Sequence, residues 1–138
     1  MRVFAIASAA LLAASSFALA QELKEIDKPA SELQQVLASE AELPPGAQEV
    51  RVVKVTLEPK TAAAWHTHPS PVYVYVAEGE LTLEVEGQES KTIRAGEAVA
   101  EPLDARMRAV NTTDQAVEVV VFQISPKEKQ FLEEEKKN

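Results

Sequence analysis

Residues 71–102 read PVYVYVAEGELTLEVEGQESKTIRAGEAVAEP, and this stretch decides the fold. It contains four short β-rich runs, in which branched and aromatic residues alternate with small or charged ones. They cover residues 72–77, 80–86, 89–94 and 97–101. Gly79, Gly87 and Gly96 separate the runs, and glycine commonly marks the turns between short strands. The spacing predicts an all-β domain of the sandwich or barrel type.

Further runs on both sides extend this pattern. Residues 49–58 alternate valine and leucine with charged residues, which is typical of a strand with one buried face. Residues 105–110 and 116–124 are also rich in strand-forming residues, and NTTD at residues 111–114 has the composition of a turn. With these runs, the sequence predicts about eight strands.

Both ends of the domain carry helix signals. Residues 27–40, DKPASELQQVLASE, place Pro29 near a helix start and apolar residues at helical spacing, which predicts a short amphipathic helix. Residues 43–46, LPPG, then break the chain. At the other end, Ser125, Pro126 and Glu128 form a capping-box pattern, so we expect a C-terminal helix and charged tail over residues 126–138.

The first twenty residues predict export. Arg2 precedes an apolar stretch, and Ala18 and Ala20 form an A-x-A cleavage pattern, so residues 1–20 are expected to be a signal peptide and the mature protein periplasmic or secreted. A membrane anchor is the alternative, but the stretch is shorter than the ~20 residues that span a bilayer. Residues 21–46 would then form an N-terminal extension, and residues 47–125 the barrel. No membrane span is expected after cleavage.

Composition limits the partners and the chemistry. The chain has 138 residues and a net charge of −8, which disfavours nucleic acid and anionic membrane surfaces as partners. It has no cysteine, so disulfides and thiol chemistry are excluded. A chain of this length fits one domain stabilised by core packing.

The two histidines of the chain lie together in WHTHP, residues 65–69. On a strand, residues two apart point to the same face, so His66 and His68 would present two imidazoles side by side. Imidazole is a common ligand of zinc, copper, iron and nickel. The alternative for a bare H-x-H pair is two hydrogen-bonded histidines without a metal.

The surrounding sequence resembles the cupin family. The first cupin motif is an H-x-H pair, a Glu and then a Gly; the second is G-x5-P-x-G-x2-H-x3-N. Six positions match in residue type and spacing across two separate segments. They are His66, His68, Gly79, Gly96, Pro102 and Asn111. The resemblance covers roughly residues 49–124 and implies a double-stranded β-helix, or jelly-roll barrel, with its site inside.

Three motif positions depart from the cupin pattern. Val72 stands in the place of the metal-binding Glu, Met107 in that of the third histidine, and Asp104 in that of the second-motif Gly. The stretch HTHPSPVYVYV also resembles a branch of small exported cupins in which the Glu is commonly absent. The resemblance therefore implies a reduced ligand set of His66, His68 and Met107.

Such a ligand set favours a soft ion. A thioether and two imidazoles, without a carboxylate, suit Cu(I) and predict only weak binding of zinc or iron. The alternative for Met107 is plain core packing, since methionine fills irregular interiors well. Glu101 is a further candidate, because it could reach the site from a strand end as a substitute carboxylate. The sequence does not fix the direction of its side chain.

Three functions are compatible with the sequence. The first is an exported protein that binds a metal ion or a small-molecule ligand through His66 and His68 without turnover. The second is a metal-dependent enzyme of the oxygenase or isomerase type. The third is a metal-free structural or interaction barrel. Cupins often pair through their sheets, so the resemblance also implies a candidate homodimer.

Overall fold

The computed structural model describes residues 33–134. The chain divides into two compact units, Met1–Leu33 and Gln34–Asn138. Apart from residue 33, the first unit lies outside the described residues, and so does the predicted signal peptide. The strands described here all belong to the second unit.

Ten β-strands form the regular structure of residues 33–134, and no helix occurs among them. The strands are β1 (Glu49–Leu57), β2 (Thr61–Ala62), β3 (His66–Thr67), β4 (Val72–Glu78), β5 (Glu80–Val85), β6 (Lys91–Arg94), β7 (Ala98–Glu101), β8 (Met107–Asn111), β9 (Val117–Ser125) and β10 (Glu133–Glu134). The seven longer strands coincide with the alternating runs of the sequence. The predicted all-β class is confirmed.

The strands form two antiparallel sheets. One has the order β1-β9-β4-β7; the other has the order β10-β3-β8-β5-β6, with β2 also paired to β8. Consecutive strands such as β4 and β5 therefore lie in different sheets, and the chain passes back and forth between them. Two sheets built in this way from short antiparallel strands form the jelly-roll barrel that the sequence predicts.

The core lies between the inner faces of the sheets. Val72, Val74 and Val76 are at most 3% exposed, whereas Tyr73 and Tyr75 between them are only partly buried on the outer face. This alternation is the one that the sequence pattern predicts. Full burial of an aliphatic side chain contributes about 1.5–3 kcal/mol to the free energy of unfolding. The three valines of β4 therefore stabilise the part of the barrel that holds the site.

Two motif positions have a clear backbone role. Gly79 joins β4 to β5 with a φ of +84°, and a Cβ there would lie 3.0 Å from the Ala116 carbonyl oxygen and 3.0 Å from a Val117 methyl carbon. A larger residue would strain this turn. Asp104 has a φ of 53°, in the left-handed region that aspartate tolerates better than most residues. The residue that stands in the place of the motif Gly thus has a backbone conformation that glycine also adopts readily.

The predicted N-terminal helix is wrong over its described part. Residues 33–40 have no regular secondary structure, and residues 27–32 lie outside the described residues. Val36 and Leu37 line a groove on the outer face of the four-stranded sheet with Tyr73 and Phe122. Short helices are marginal in water, and here the apolar residues contact the sheet without forming a helix.

The predicted C-terminal helix is also wrong over its described part. Residues 126–134 form a turn, in which the Lys129 amide donates to the Pro126 carbonyl at 2.9 Å, and then β10. This strand pairs with β3, so that Glu133 lies opposite Thr67 and Glu134 opposite His66. The backbone groups of the tail find partners in the sheet, which the local capping pattern could not reveal. Residues 135–138 lie outside the described residues.

Within residues 33–134, the structure contains no helix long and apolar enough to cross a bilayer.

Candidate metal centre

Three potential metal ligands meet between the two sheets. His66 lies on β3, between β10 and β8 in the six-stranded sheet, and His68 directly follows it, whereas Glu101 ends β7 at the edge of the four-stranded sheet. His66 is 8% exposed, His68 is 3% exposed, and the Glu101 side chain is 6% exposed. The pair predicted from WHTHP therefore lies inside the barrel, and a buried carboxylate completes it.

The ligand atoms lie close together. His66 Nε2 is 3.2 Å from His68 Nε2, and His68 Nε2 is 2.9 Å from Glu101 Oε2. All three potential ligand atoms lie within 4.8 Å of one another. Distances of this order are expected between ligands of one ion, whose own bonds to nitrogen and oxygen are about 2.0–2.2 Å for zinc.

Backbone carbonyls fix the orientation of both imidazoles. His66 Nδ1 donates to the Ala64 carbonyl at 2.8 Å, and His68 Nδ1 donates to the Phe131 carbonyl at 2.9 Å. A carbonyl oxygen can only accept, so the Nδ1 atoms carry the protons and the neutral rings have lone pairs at Nε2. This arrangement is the one that metal-binding histidines use to present Nε2 to an ion.

The site is short of positive charge. Two Nε2 lone pairs face each other, and Glu101 Oε2 has no aligned hydrogen-bond donor among the described residues, although His68 Nε2 lies near it. Buried acceptors without donors are costly, and a buried carboxylate requires a compensating charge. One cation at the point where the three atoms converge would satisfy all of them. The residues therefore fit a bound metal ion.

The pKa of His68 also shows that the site favours a positive charge. Burial is the largest single effect and disfavours the charged ring, but the adjacent Glu101 carboxylate and the Phe131 carbonyl together outweigh it, so the pKa of His68 is raised above its ordinary value. A proton can thus occupy the position that a metal ion would take.

Met107 occupies a neighbouring position. It lies opposite His66 in the pairing of β3 with β8, and it is fully buried within the hydrophobic core. The predicted inward direction of its side chain is therefore confirmed. Its role as a metal ligand stays a prediction.

Register explains how Glu101 reaches the site. In the pairing of β4 with β7, Glu101 lies directly opposite Val72, the residue that stands in the place of the cupin Glu. Directly opposite residues project to the same face of a sheet with Cβ atoms about 4.5–5.5 Å apart. The carboxylate thus enters from the neighbouring strand. The sequence offered Glu101 only as a candidate, because the direction of its side chain depends on this register.

Trp65 belongs to the outer surface. The guanidinium groups of Arg106 and Arg108 lie 4.4 Å and 4.7 Å from its ring centre. Both arginines flank the buried Met107 on β8, so they point outward as the alternation predicts. Trp65 therefore supports the barrel wall next to His66.

A cavity of about 390 Å³, which opens to solvent at one side, adjoins the three ligands. His66, His68 and Glu101 contribute to its wall. The remainder is mainly aliphatic, with contributions from Leu57, Val74, Leu81, Val119 and Val121, and the tail residues Phe131 and Leu132 complete the wall. A cavity of this size, mostly apolar and with a few convergent polar groups, is typical of a small-molecule site.

A comparison with known families agrees with the fold. A family model described as a cupin domain matches residues 53–123, more than half of the chain. The chain belongs to the cupin superfamily. No curated protein sequence matches this cupin.

Several solved structures resemble this cupin. A sugar phosphate isomerase of the cupin superfamily from Silicibacter pomeroyi is 27% identical with a TM-score of 0.51, and the match covers 56% of this chain and 51% of that chain. The polyketide cyclase RemF from Streptomyces resistomycificus is 18% identical with a TM-score of 0.55, covering 67% and 65%. The DMSP lyase DddQ from Ruegeria pomeroyi is 20% identical with a TM-score of 0.52, covering 59% and 41%.

In each case the match spans less than two thirds of the other protein's chain. At 18% and 20% identity, the similarity to the cyclase and to the lyase shows the fold alone. The activities in these names differ, so the shared fold does not select one of them for this cupin.

Proposed function

We propose that this cupin holds one divalent transition-metal ion through His66, His68 and Glu101, and binds a small molecule beside the ion. The observation that carries this proposal is the convergence of two Nε2 lone pairs and one Glu101 oxygen that lacks an aligned donor. In a metal-free barrel, a proton on His68 would have to compensate the Glu101 carboxylate, and the site would hold a buried His68–Glu101 ion pair instead of a metal ion.

The ligand set points to a harder ion than the sequence suggested. Glu101 supplies the negative charge that His66, His68 and Met107 lack, so a divalent ion is compensated. Two imidazoles and a carboxylate are the protein ligands of many non-haem Fe(II) sites and of catalytic zinc sites. Iron(II) and zinc(II) are therefore the preferred candidates. The Cu(I) alternative depends on participation of Met107.

An enzymatic role is favoured by the cavity next to the ligands. A bound divalent ion would polarise an oxygen-bearing ligand, because three protein ligands leave coordination positions open. His66, His68 and Glu101 would orient that ligand, and the aliphatic wall would exclude water from it. Oxygenase and isomerase chemistry are the two enzymatic candidates, and storage or transport of the ligand without turnover is the non-enzymatic one.

Elemental analysis of the untagged protein, followed by titration with Fe(II), Zn(II), Cu(I) and Cu(II), tests the metal site. We expect one equivalent of a divalent ion. Glu101→Gln should weaken binding by more than the roughly 10–100-fold lost when an outer-shell partner is removed. The double variant His66→Ala/His68→Ala should abolish specific binding while the barrel stays folded.

Glu118→Gln is the matched control, because Glu118 is a strand carboxylate that pairs with Lys54 on the surface at 2.6 Å. Its metal affinity should equal that of the wild type. Stoichiometric binding retained in the double-histidine variant would contradict the site, as would equal losses in Glu101→Gln and Glu118→Gln.

We also propose that the protein is exported. Support comes from the order of Arg2, the apolar stretch and the A-x-A pattern within residues 1–20. Mass spectrometry of protein from the periplasm or the medium should find a chain that begins at Gln21. A chain that keeps residues 1–20 and stays in the cytoplasm would contradict export.

A further inference from the structure

Charge distinguishes the cavity beside the metal ligands. Its ionisable lining residues are His66, His68, Glu101 and Glu58, and no lysine or arginine contributes to its wall among residues 33–134. Glu58 is exposed and its charge is solvated, whereas a divalent ion held by Glu101 and two neutral imidazoles leaves one net positive charge at the ion. That charge balances one carboxylate, or polarises one neutral oxygen, but it does not balance a phosphate dianion.

The wall offers few hydrogen-bond partners to a ligand. Thr56 and Thr61 are its hydroxyl-bearing residues, and the Thr61 hydroxyl already donates to the Glu58 carbonyl at 2.7 Å. Aliphatic side chains from both sheets form most of the remaining surface. A ligand with several hydroxyl groups would bury them without partners, which disfavours its binding.

We infer that the cavity selects a small, mainly hydrocarbon molecule with a single oxygen anchor, either a hydroxyl, a carbonyl or one carboxylate, and rejects phosphorylated and polyhydroxylated molecules. The inference rests on the proposed metal site for the anchor. The hydrocarbon part rests on the cavity wall alone. The volume of about 390 Å³ lies near the lower end for small-molecule sites, which limits the ligand to a short chain or one ring.

A homologous series gives a direct test. The full chain, loaded with one equivalent of the metal that it prefers, is titrated by calorimetry with propanoate, butanoate, pentanoate and hexanoate. Burial of one CH₂ group contributes about 0.8 kcal/mol, so affinity should rise roughly fourfold per carbon until the cavity is full. Inorganic phosphate, glucose and glucose 6-phosphate should bind at least about tenfold more weakly than hexanoate.

Metal-free protein separates this inference from the proposed metal site. The neutral 1-alkanols of the same lengths should show the same rise per carbon in the presence of a chelator, because the wall alone contacts their chains. If the metal titrations find no stoichiometric ion but the alkanol series still rises, the metal site is refuted and the apolar cavity stands. A flat series, or binding of glucose 6-phosphate as tight as that of hexanoate, would overturn the inference whatever the metal result.

Two alanine variants localise the binding. Ala109 lines the cavity, so the larger side chain of Ala109→Leu should reduce the space for the ligand. Affinity should then stop rising at a shorter carboxylate than in the wild type, while metal binding stays intact. Ala77 is exposed on β4, and Ala77→Leu is the matched control that should leave the series unchanged. An unaltered length limit in a folded Ala109→Leu protein would contradict the inference. If that variant fails to fold, the selectivity of the wild-type protein still decides.

Discussion

At the scale of single residues, the position of the metal-binding carboxylate can be tested by moving it from β7 to β4. Val72 and Glu101 lie opposite each other on these two strands. A carboxylate at either position projects to the same face of the sheet. Glu101→Val should therefore lose the metal, and the double variant Val72→Glu/Glu101→Val should regain affinity to within about tenfold of the wild type, or 1.4 kcal/mol. Calorimetric titration of both proteins measures this. No recovery in a folded double variant would mean that the position of the carboxylate on β7 is essential.

Acid should weaken metal binding, and the loss should begin at a pH above the ordinary pKa of histidine. The pKa of His68 is raised, because Glu101 and the Phe131 carbonyl together outweigh the large opposing effect of burial. Below that pKa a proton occupies the ring and must be displaced by the metal, whereas above it Nε2 is free. Affinity is therefore full at higher pH, and its loss on acidification should begin above the ordinary histidine value of about 6.5.

Metal titrations in steps between pH 8.5 and 5 would follow this loss, with a flat profile as the contradictory result. Glu101→Gln removes the carboxylate that does most to raise the pKa of His68. In that weaker variant, the onset of the loss should therefore move to lower pH.

Met107 can be tested by replacing its thioether with an imidazole. Met107 lies opposite His66, so Met107→His should raise the affinity for Zn(II) or Ni(II) by adding a third imidazole. Met107→Leu is the control, since it conserves volume and should cost less than about 1.5 kcal/mol of stability. Equal Zn(II) affinity in the two folded variants would show that the side chain does not reach the ion. A loss of Cu(I) binding in Met107→Leu would favour the copper alternative.

At the scale of strands, local patterns predicted most of the structure. The alternation of Val72, Val74 and Val76 fixes an inward face without knowledge of any partner, and Gly79 marks the turn that follows. The position of Glu101 depended on pairing between strands that are distant in sequence. No local pattern contains that register, which is why the sequence could name this carboxylate but not its direction.

The helix prediction for the C-terminal tail was wrong for a related reason. Residues 126–134 carry a valid local helix signal, but β10 pairs with β3, and the Phe131 ring lies 5.5 Å from the His68 ring, measured between centres. The Gln123 side chain donates to the Phe131 carbonyl at 2.7 Å, and Arg51 donates to the Lys129 carbonyl at 3.0 Å. These tertiary contacts outweigh a marginal short helix.

Removal of the tail should therefore weaken the metal site without unfolding the barrel. Deletion of residues 126–138 takes away the carbonyl that orients His68, and also part of the cavity wall. Loss of such an outer-shell partner typically reduces metal affinity about 10–100-fold. Titration of the truncated protein measures the loss, and circular dichroism checks the β-structure. Deletion of residues 135–138 alone is the control, and equal affinity in both truncations would refute a role for the tail.

At the scale of the whole molecule, the site lies between the two sheets. Its histidines come from β3 of the six-stranded sheet and the residue after it, and its carboxylate comes from the edge of the four-stranded sheet. The outer face of the four-stranded sheet exposes Val50 and Val52 at 60% and 58%, but the homodimer implied by the cupin resemblance stays a prediction. Because the ligands come from both sheets, a bound ion would also affect the stability of the barrel.

A metal ion bound by His66, His68 and Glu101 would cross-link the two sheets, so it should stabilise the whole barrel. Free metal at 100 times its dissociation constant adds about 2.7 kcal/mol to the free energy of unfolding if the unfolded chain does not bind it. For a domain of this size that raises Tm on the order of 10 °C. Scanning calorimetry of metal-loaded and chelator-treated protein measures the shift. Glu101→Gln should lose most of the shift, because its two histidines hold the ion to one sheet alone, whereas Glu118→Gln should keep it. Identical melting of the loaded and chelated wild type would mean that no ion joins the sheets.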